Sequence, residues 1–206
     1  METSKIELEI PIIGENKLYF YDEVTTDTTK DFIKSFHKLS HELDVIDNKN
    51  KQALRNLYIS NIDLPSTDIH IHLDTVGGYC HEGLLIFDII RTYTKRHVYI
   101  FSEGFVASMG IVLLCSVPVE YRYATENTTF MIHSISGGTD FGRINDLKDS
   151  VQIMERLQKN IWNIIANNTN IPMQRLIENQ EKREDWFLTA EEALECGLIS
   201  KIIKNG

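Results

Sequence analysis

One stretch of this chain constrains its fold more than any other: a strand-forming cluster that hands over abruptly to an apolar helix. Val98-Tyr99-Ile100-Phe101 reads as a buried strand. Gly104 is expected to end it, and an apolar helical run is expected to begin near Ser108 and stop before Pro118. Ser108 thus falls at a strand-turn-helix junction, inside Phe105-Val106-Ala107-Ser108-Met109-Gly110. Unpaired backbone N–H groups and the positive end of the helix dipole converge at such a junction. A developing oxyanion would be stabilised there. The alternative is that Ser108 does no more than cap a core helix.

The rest of the chain alternates strands with helices, the pattern of an α/β fold. Ile6-Glu7-Leu8-Glu9-Ile10 and Leu18-Tyr19-Phe20-Tyr21 are expected as strands, so residues 1–24 read as an N-terminal strand segment and 25–206 as the main domain. Thr25 to Thr29 is a capping cluster before Phe32, Phe36, Leu39, Leu43 and Ile46 at helical spacing. Asp47-Asn48-Lys49-Asn50-Lys51 reads as a polar turn, and Asp68 to Leu73 as a half-buried strand running into Asp74-Thr75-Val76-Gly77-Gly78. A double glycine after a strand lets backbone approach a ligand closely and present its N–H groups. A helix is expected over residues 82–95, short strands at Tyr121 to Ala124 and Thr129 to His133, and a glycine-containing loop at Ser134 to Gly138. From about Gly142 to Asn168, Ile144, Leu147, Val151, Met154, Leu157, Ile161 and Ile165 share one helical face. Such a helix is roughly 40 Å long, more than a compact domain needs, and the excess is expected to meet another subunit. Ile171-Pro172 starts a further helix, Thr189-Ala190-Glu191-Glu192 is a capping box, Gly197 ends that helix, and Leu198-Ile199 with Ile202-Ile203 form a last strand.

Composition narrows the partners. A length of 206 residues suits one domain with a substantial core. The net charge of -9 argues against nucleic acid or an anionic membrane as the main partner. Three scattered cysteines, Cys80, Cys115 and Cys196, form no CxxC pair and read as free thiols in a reducing compartment. Met1 to Lys5 leads into mixed charge, and the apolar run Ile111 to Val119 is too short to span a bilayer. A cytoplasmic protein is expected. His70, His72, His81 and Cys80 supply no closed ligand set, and no metal is expected.

A nucleophilic serine needs a base, and the base an orienting acid. His133 ends an apolar strand just before a glycine loop, and Asp185 stands between Lys182-Arg183-Glu184 and Trp186-Phe187. Taken singly, His133 also reads as a core histidine and Asp185 as a solvated charge, and spacing alone does not bring the three together. The order of motifs does carry a resemblance. Gly77-Gly78, Ala107-Ser108-Met109-Gly110, Met131-Ile132-His133, Glu184-Asp185-Trp186-Phe187-Leu188-Thr189-Ala190-Glu191-Glu192-Ala193 and Gly197-Leu198-Ile199 resemble, in order and spacing, the proteolytic subunit of the Clp protease, ClpP. The likeness runs over residues 68–204 and is looser before them.

The resemblance implies Ser108 as nucleophile, His133 as general base and acid, Asp185 as the orienting carboxylate, and the backbone N–H groups of Gly78 and Met109 as the oxyanion hole. It implies an α/β fold, a spiral of ββα units shared with the crotonases, with a protruding handle over residues 135–168 and residues 1–24 serving as an axial segment. It also implies a compartmentalised serine endopeptidase: homo-oligomeric heptameric rings, stacked as a tetradecamer, that degrade unfolded polypeptides fed by an AAA+ unfoldase. No cofactor is implied, and GxxxxGK[ST] is absent, so ATP use would belong to the partner. The order Ser, His, Asp and the Val106 that denies GxSxG exclude an α/β-hydrolase. Departures from the family are Thr75-Val76 for its Ser-Pro, His70 and His72 where aromatics help form its ATPase-docking pocket, Glu184 for an arginine, and a shortened segment between Glu9 and Leu18. The alternatives are a catalytically silent ring subunit, a stand-alone phage-type protease acting in maturation, and an acyl-CoA enzyme of crotonase type.

Overall fold

The computed structural model describes residues 16–56, 67–137 and 143–204. The expected strand at Ile6 to Ile10 lies outside them. The elements run β1 (Lys17–Phe20), α1 (Thr26–Asn56), β2 (Ile69–Thr75), α2 (Cys80–Thr92), β3 (Val98–Ala107), α3 (Met109–Leu114), β4 (Arg122–Thr125), β5 (Thr129–Ile132), α4 (Ile144–Asn168), α5 (Met173–Lys182), β6 (Trp186–Leu188), α6 (Ala190–Glu195) and β7 (Lys201–Ile203). The architecture is α/β, as expected.

The organising strand is β3, which serves two sets of neighbours. Its first half pairs with β2 on one side and β4 on the other, Ile100 opposite Arg122 and Ser102 opposite Ala124. Its second half pairs with β5, from Phe105 opposite Thr129 to Ala107 opposite Met131. Between the halves the register slips: Ser102 faces Leu73, but Val106 faces Thr75. The expectation that Gly104 ends the strand is therefore corrected. Gly104 sits in a bulge at φ 57°, where the Asp74 carboxylate accepts the Phe105 N–H at 3.0 Å in place of a ladder bond. The strand bends and continues.

One face of the sheet carries Ile69, Ile71, Leu73, Val98, Ile100 and Ala124 into a core with Phe32, Phe36, Leu39 and Leu43 of α1 and Ile86, Phe87 and Ile90 of α2. Helix α3 is buried along its whole length, which is why its sequence is apolar all round. It is shorter than the run before Pro118 foretells, because Cys115 to Val117 turn away into a 3-10 turn at Val119–Tyr121. Helix α2 begins at Cys80, two residues before the expected start. Helix α1 runs through Asp47 to Lys51, where a turn is expected. The polar residues are tolerated because Asp47 turns inward: its carboxylate takes Arg96 at 2.7 Å and the Thr67 hydroxyl at 3.1 Å. Leu198 and Ile199 form a buried bend and not part of the last strand. The capping box at Thr189 and Glu192 forms as read. In α4 the buried residues Gln158, Ile161, Trp162 and Ile165 lie in the second half, whereas Ile144, Val151 and Ile153 in the first half are exposed. The helix stands off the core by half its length.

Arg122 clamps these parts together. It is 1% exposed and has no carboxylate partner among the described residues. Its guanidinium donates to the Val117 carbonyl at 2.9 and 2.6 Å and to the Asn168 carbonyl at 2.7 Å, so it closes both the end of the α3 segment and the end of α4. Burial lowers its pKa from the usual arginine range. Replacement by methionine keeps the stem but strands these carbonyls, and Arg122→Met is expected to lower stability by about 3 kcal/mol in urea denaturation. A loss below about 1 kcal/mol would show that the carbonyls find other partners.

Candidate active site

Ser108 joins β3 to α3 with a backbone that side-chain-bearing residues rarely adopt, φ 54° and ψ -118°. This conformation costs on the order of 1–3 kcal/mol. The surroundings impose it. The Ser108 N–H donates to the Met131 carbonyl at 2.9 Å, its carbonyl accepts the Ile111 N–H at 3.0 Å, and Ala107 and Met109 on either side are buried. Its hydroxyl makes no capping bond to α3, so the capping alternative fails.

The double glycine packs against this turn. A β-carbon on Gly77, at φ 92°, would fall 2.5 Å from the Ser108 Cβ and 2.9 Å from the Met109 nitrogen. Gly78, at φ 143°, bridges to Val24, whose backbone would clash with a side chain there. The Thr75 hydroxyl accepts the Gly77 N–H at 3.1 Å and donates to the Asp22 carbonyl at 2.6 Å, which fixes the entry to the turn. Gly78 and Met109, expected to supply oxyanion-hole N–H groups, both line one cleft with Ser108 and His133. Met109 opens α3, and first-turn N–H groups have no acceptor within their own helix.

Strand register brings the other two residues to the same corner. β5 lies between β3 and β6, parallel to the first and antiparallel to the second. Ser108 follows the last residue of β3, His133 follows the last of β5, and Asp185 precedes the first of β6. Ile132 pairs with Trp186, so the next step outward puts His133 opposite Asp185. His133 Nδ1 is 3.7 Å from Asp185 Oδ1, within ion-pair reach and beyond hydrogen-bond length.

The cleft holds about 330 Å³, and its apolar wall includes Met131, Ile135, Ile161, Trp162 and Ile165. The Trp162 ring is fixed by its N–H, which donates to Gln180 at 2.8 Å. Cys80 lines the cleft as well, and burial raises its thiol pKa, which disfavours the thiolate.

Two supports escape a reading of the sequence. Arg183 ends α5 in the left-handed conformation, φ 55°, and turns the chain toward Asp185. The Arg175 guanidinium lies over the Trp186 ring, 4.9 Å from its centroid, next to Asp185 in the chain. His70 and His72 point from β2 to the side of the sheet opposite the core, where His72 bonds Glu103 at 2.8 Å and stacks on Tyr19 and Phe101. The Tyr21 hydroxyl donates to the same Glu103 carboxylate. No helix among the described residues is long and apolar enough to cross a membrane.

A family model described as Clp protease matches residues 21–206. ATP-dependent Clp protease proteolytic subunit 2 of Chlamydia muridarum (strain MoPn / Nigg) is 37% identical over 141 residues, 68% of each chain. ATP-dependent Clp protease proteolytic subunit 3 of Rhizobium etli is 31% identical over 138 residues, 67% of this chain and 69% of that one. Among solved structures, a point mutant of ClpP1 from Listeria monocytogenes superposes with a TM-score of 0.70 at 24% identity, covering 92% of both chains.

The packing of Gly77 on Ser108 generates a direct expectation. Gly77→Ala should lower stability by at least about 2 kcal/mol, because both the positive φ and the Ser108 contact must relax. An unchanged urea midpoint would mean that the Ser108 turn is not held in this way.

Proposed function

The chain belongs to the Clp protease family, a family of peptidases, and from that premise we propose that it is a serine endopeptidase working through Ser108, His133 and Asp185. One observation carries the reading: the pairing of β5 with β3 and with β6 puts His133 in one cleft with Ser108 and the backbone of Gly78 and Met109, and puts Asp185 behind it, 3.7 Å from its ring.

The chemistry follows from the positions. The substrate lies extended in the cleft with an apolar side chain against Ile161, Trp162 and Met131. Ser108 Oγ attacks the scissile carbonyl carbon while His133 takes the hydroxyl proton, and the Gly78 and Met109 N–H groups receive the charge on the carbonyl oxygen. His133 then gives its proton to the departing amine, the C–N bond breaks, and an acyl ester remains on Ser108. Water repeats the sequence with His133 again as base, releasing the new carboxyl end and restoring Ser108. Asp185 holds the imidazole in the required orientation and stabilises it when it carries the proton.

The half of α4 that stands off the core, with Ile144, Val151 and Ile153 exposed, is the surface on which a second copy docks as rings stack. Heptameric rings, a tetradecamer, and an AAA+ unfoldase that feeds unfolded polypeptide complete the proposal. Because the segment between Glu9 and Leu18 is short, short peptides are proposed to be cleaved without ATP and folded proteins not to be. The 3.7 Å between His133 and Asp185 favours one other reading, a silent ring subunit whose triad does not close.

A fluorogenic short peptide separates the two. Ser108→Ala and His133→Ala should each lower kcat by at least about a thousandfold with assembly unchanged, since triad members act as a unit. Cleavage that persists in Ser108→Ala would remove that residue from the mechanism. No cleavage by a fully assembled wild type would favour the silent subunit.

A further inference from the structure

Gln158 is an unexpected residue for its place. It sits on α4 at 6% exposure, in company with Ile161, Trp162 and Ile165. A buried amide needs partners at both ends. The oxygen has one: Gln158 Oε1 accepts the Ile135 N–H at 2.5 Å. The nitrogen has none among the described residues. An unpaired buried donor carries a desolvation penalty, and methionine would fill the same space without it. What glutamine supplies and methionine does not is the hold on Ile135.

That hold falls at a sensitive point. Ile135 comes two residues after His133, in a stretch from 133 to 137 that belongs to neither helix nor strand. On one side His133 is fixed by the end of β5, and on the other the chain is fixed by Gln158. The span between carries the imidazole whose distance from Asp185 is already beyond hydrogen-bond length. Ile135 itself lines the cleft. Movement of the Ile135 amide therefore moves His133 relative to both Asp185 and Ser108.

We propose that Gln158 is a positioning residue for the base: its carbonyl oxygen anchors Ile135 and thereby sets the reach of His133, tying α4 to the catalytic corner. The proposal rests on the reading of His133 as base given above. Gln158 touches neither substrate nor reacting atoms.

Three variants of the assembled full-length chain test it. Gln158→Met keeps the length and loses the acceptor, Gln158→Asn withdraws the same amide by one methylene, and Gln158→Glu keeps an oxygen acceptor in either protonation state. Kinetics on a short fluorogenic peptide are measured beside wild type and Ser108→Ala, with the pH profile of kcat. Gln158→Met and Gln158→Asn should lower kcat at least about tenfold with KM within about twofold, and shift the base limb of the profile. Gln158→Glu should keep kcat within about threefold of wild type. Wild-type kcat and an unchanged profile in Gln158→Met would overturn the proposal, as would Gln158→Glu being impaired as much as Gln158→Met. If Gln158→Met does not assemble, Gln158→Asn decides by the same criteria. An active wild type with indifferent Gln158 variants removes this role alone, whereas a wild type without Ser108-dependent cleavage removes the reading of the site and this proposal with it.

Discussion

The double pairing of β5 is the constraint on which the candidate site depends. Four residues, Thr129 to Ile132, pair parallel with the second half of β3 and antiparallel with β6. The parallel side brings the end of β3, and so Ser108, level with the end of β5. The antiparallel side brings the beginning of β6, and so Asp185, to the same edge. A slip of one residue on either side would turn alternate side chains to the opposite face and separate the three groups. The bulge at Gly104 makes this possible, because it bends β3 away from β4 and toward β5.

Around this corner the structure spends stability on a fixed geometry. Ser108 holds a positive φ that costs on the order of 1–3 kcal/mol, and it persists because neighbours on β5, on α3 and in the loop after β2 determine it. Met131 takes its N–H, Ile111 binds its carbonyl, and Gly77 fills the space where any side chain would collide. Farther out, the Arg122 guanidinium ties the ends of α3 and α4 through carbonyls alone, so the helix that walls the cleft and the helix that follows Ser108 share one anchor. Such arrangements are expected where a site must be ready before its substrate arrives.

Much of this was legible in the residues. The start of a buried helix after Ser108, the helical spacing of Phe32 to Leu43 and the box at Thr189 depend on local periodicity or local hydrogen bonds, and they form as read, although the helix after Ser108 stops at Leu114. The misreadings share a cause. Asp47 to Lys51 looks like a turn until Arg96, distant in the chain, supplies a partner that draws Asp47 inward within a continuing helix. Gly104 looks like a strand end until Asp74 bonds the next amide. Neither partner is visible from local pattern. The meeting of His133 with Asp185 is of the same kind, since it follows from register between strands far apart in sequence. Arg183 and Gln158 left no signal at all, because a left-handed arginine and a half-satisfied buried glutamine break the ordinary preferences of their types.

The most direct test of an activated Ser108 is the intact mass of the chain after incubation with a fluorophosphonate, which phosphonylates only a serine whose proton has a base to go to. A single adduct is expected on wild type and none on Ser108→Ala. An assembled wild type that stays unmodified, or an adduct that survives in Ser108→Ala, would contradict an activated Ser108.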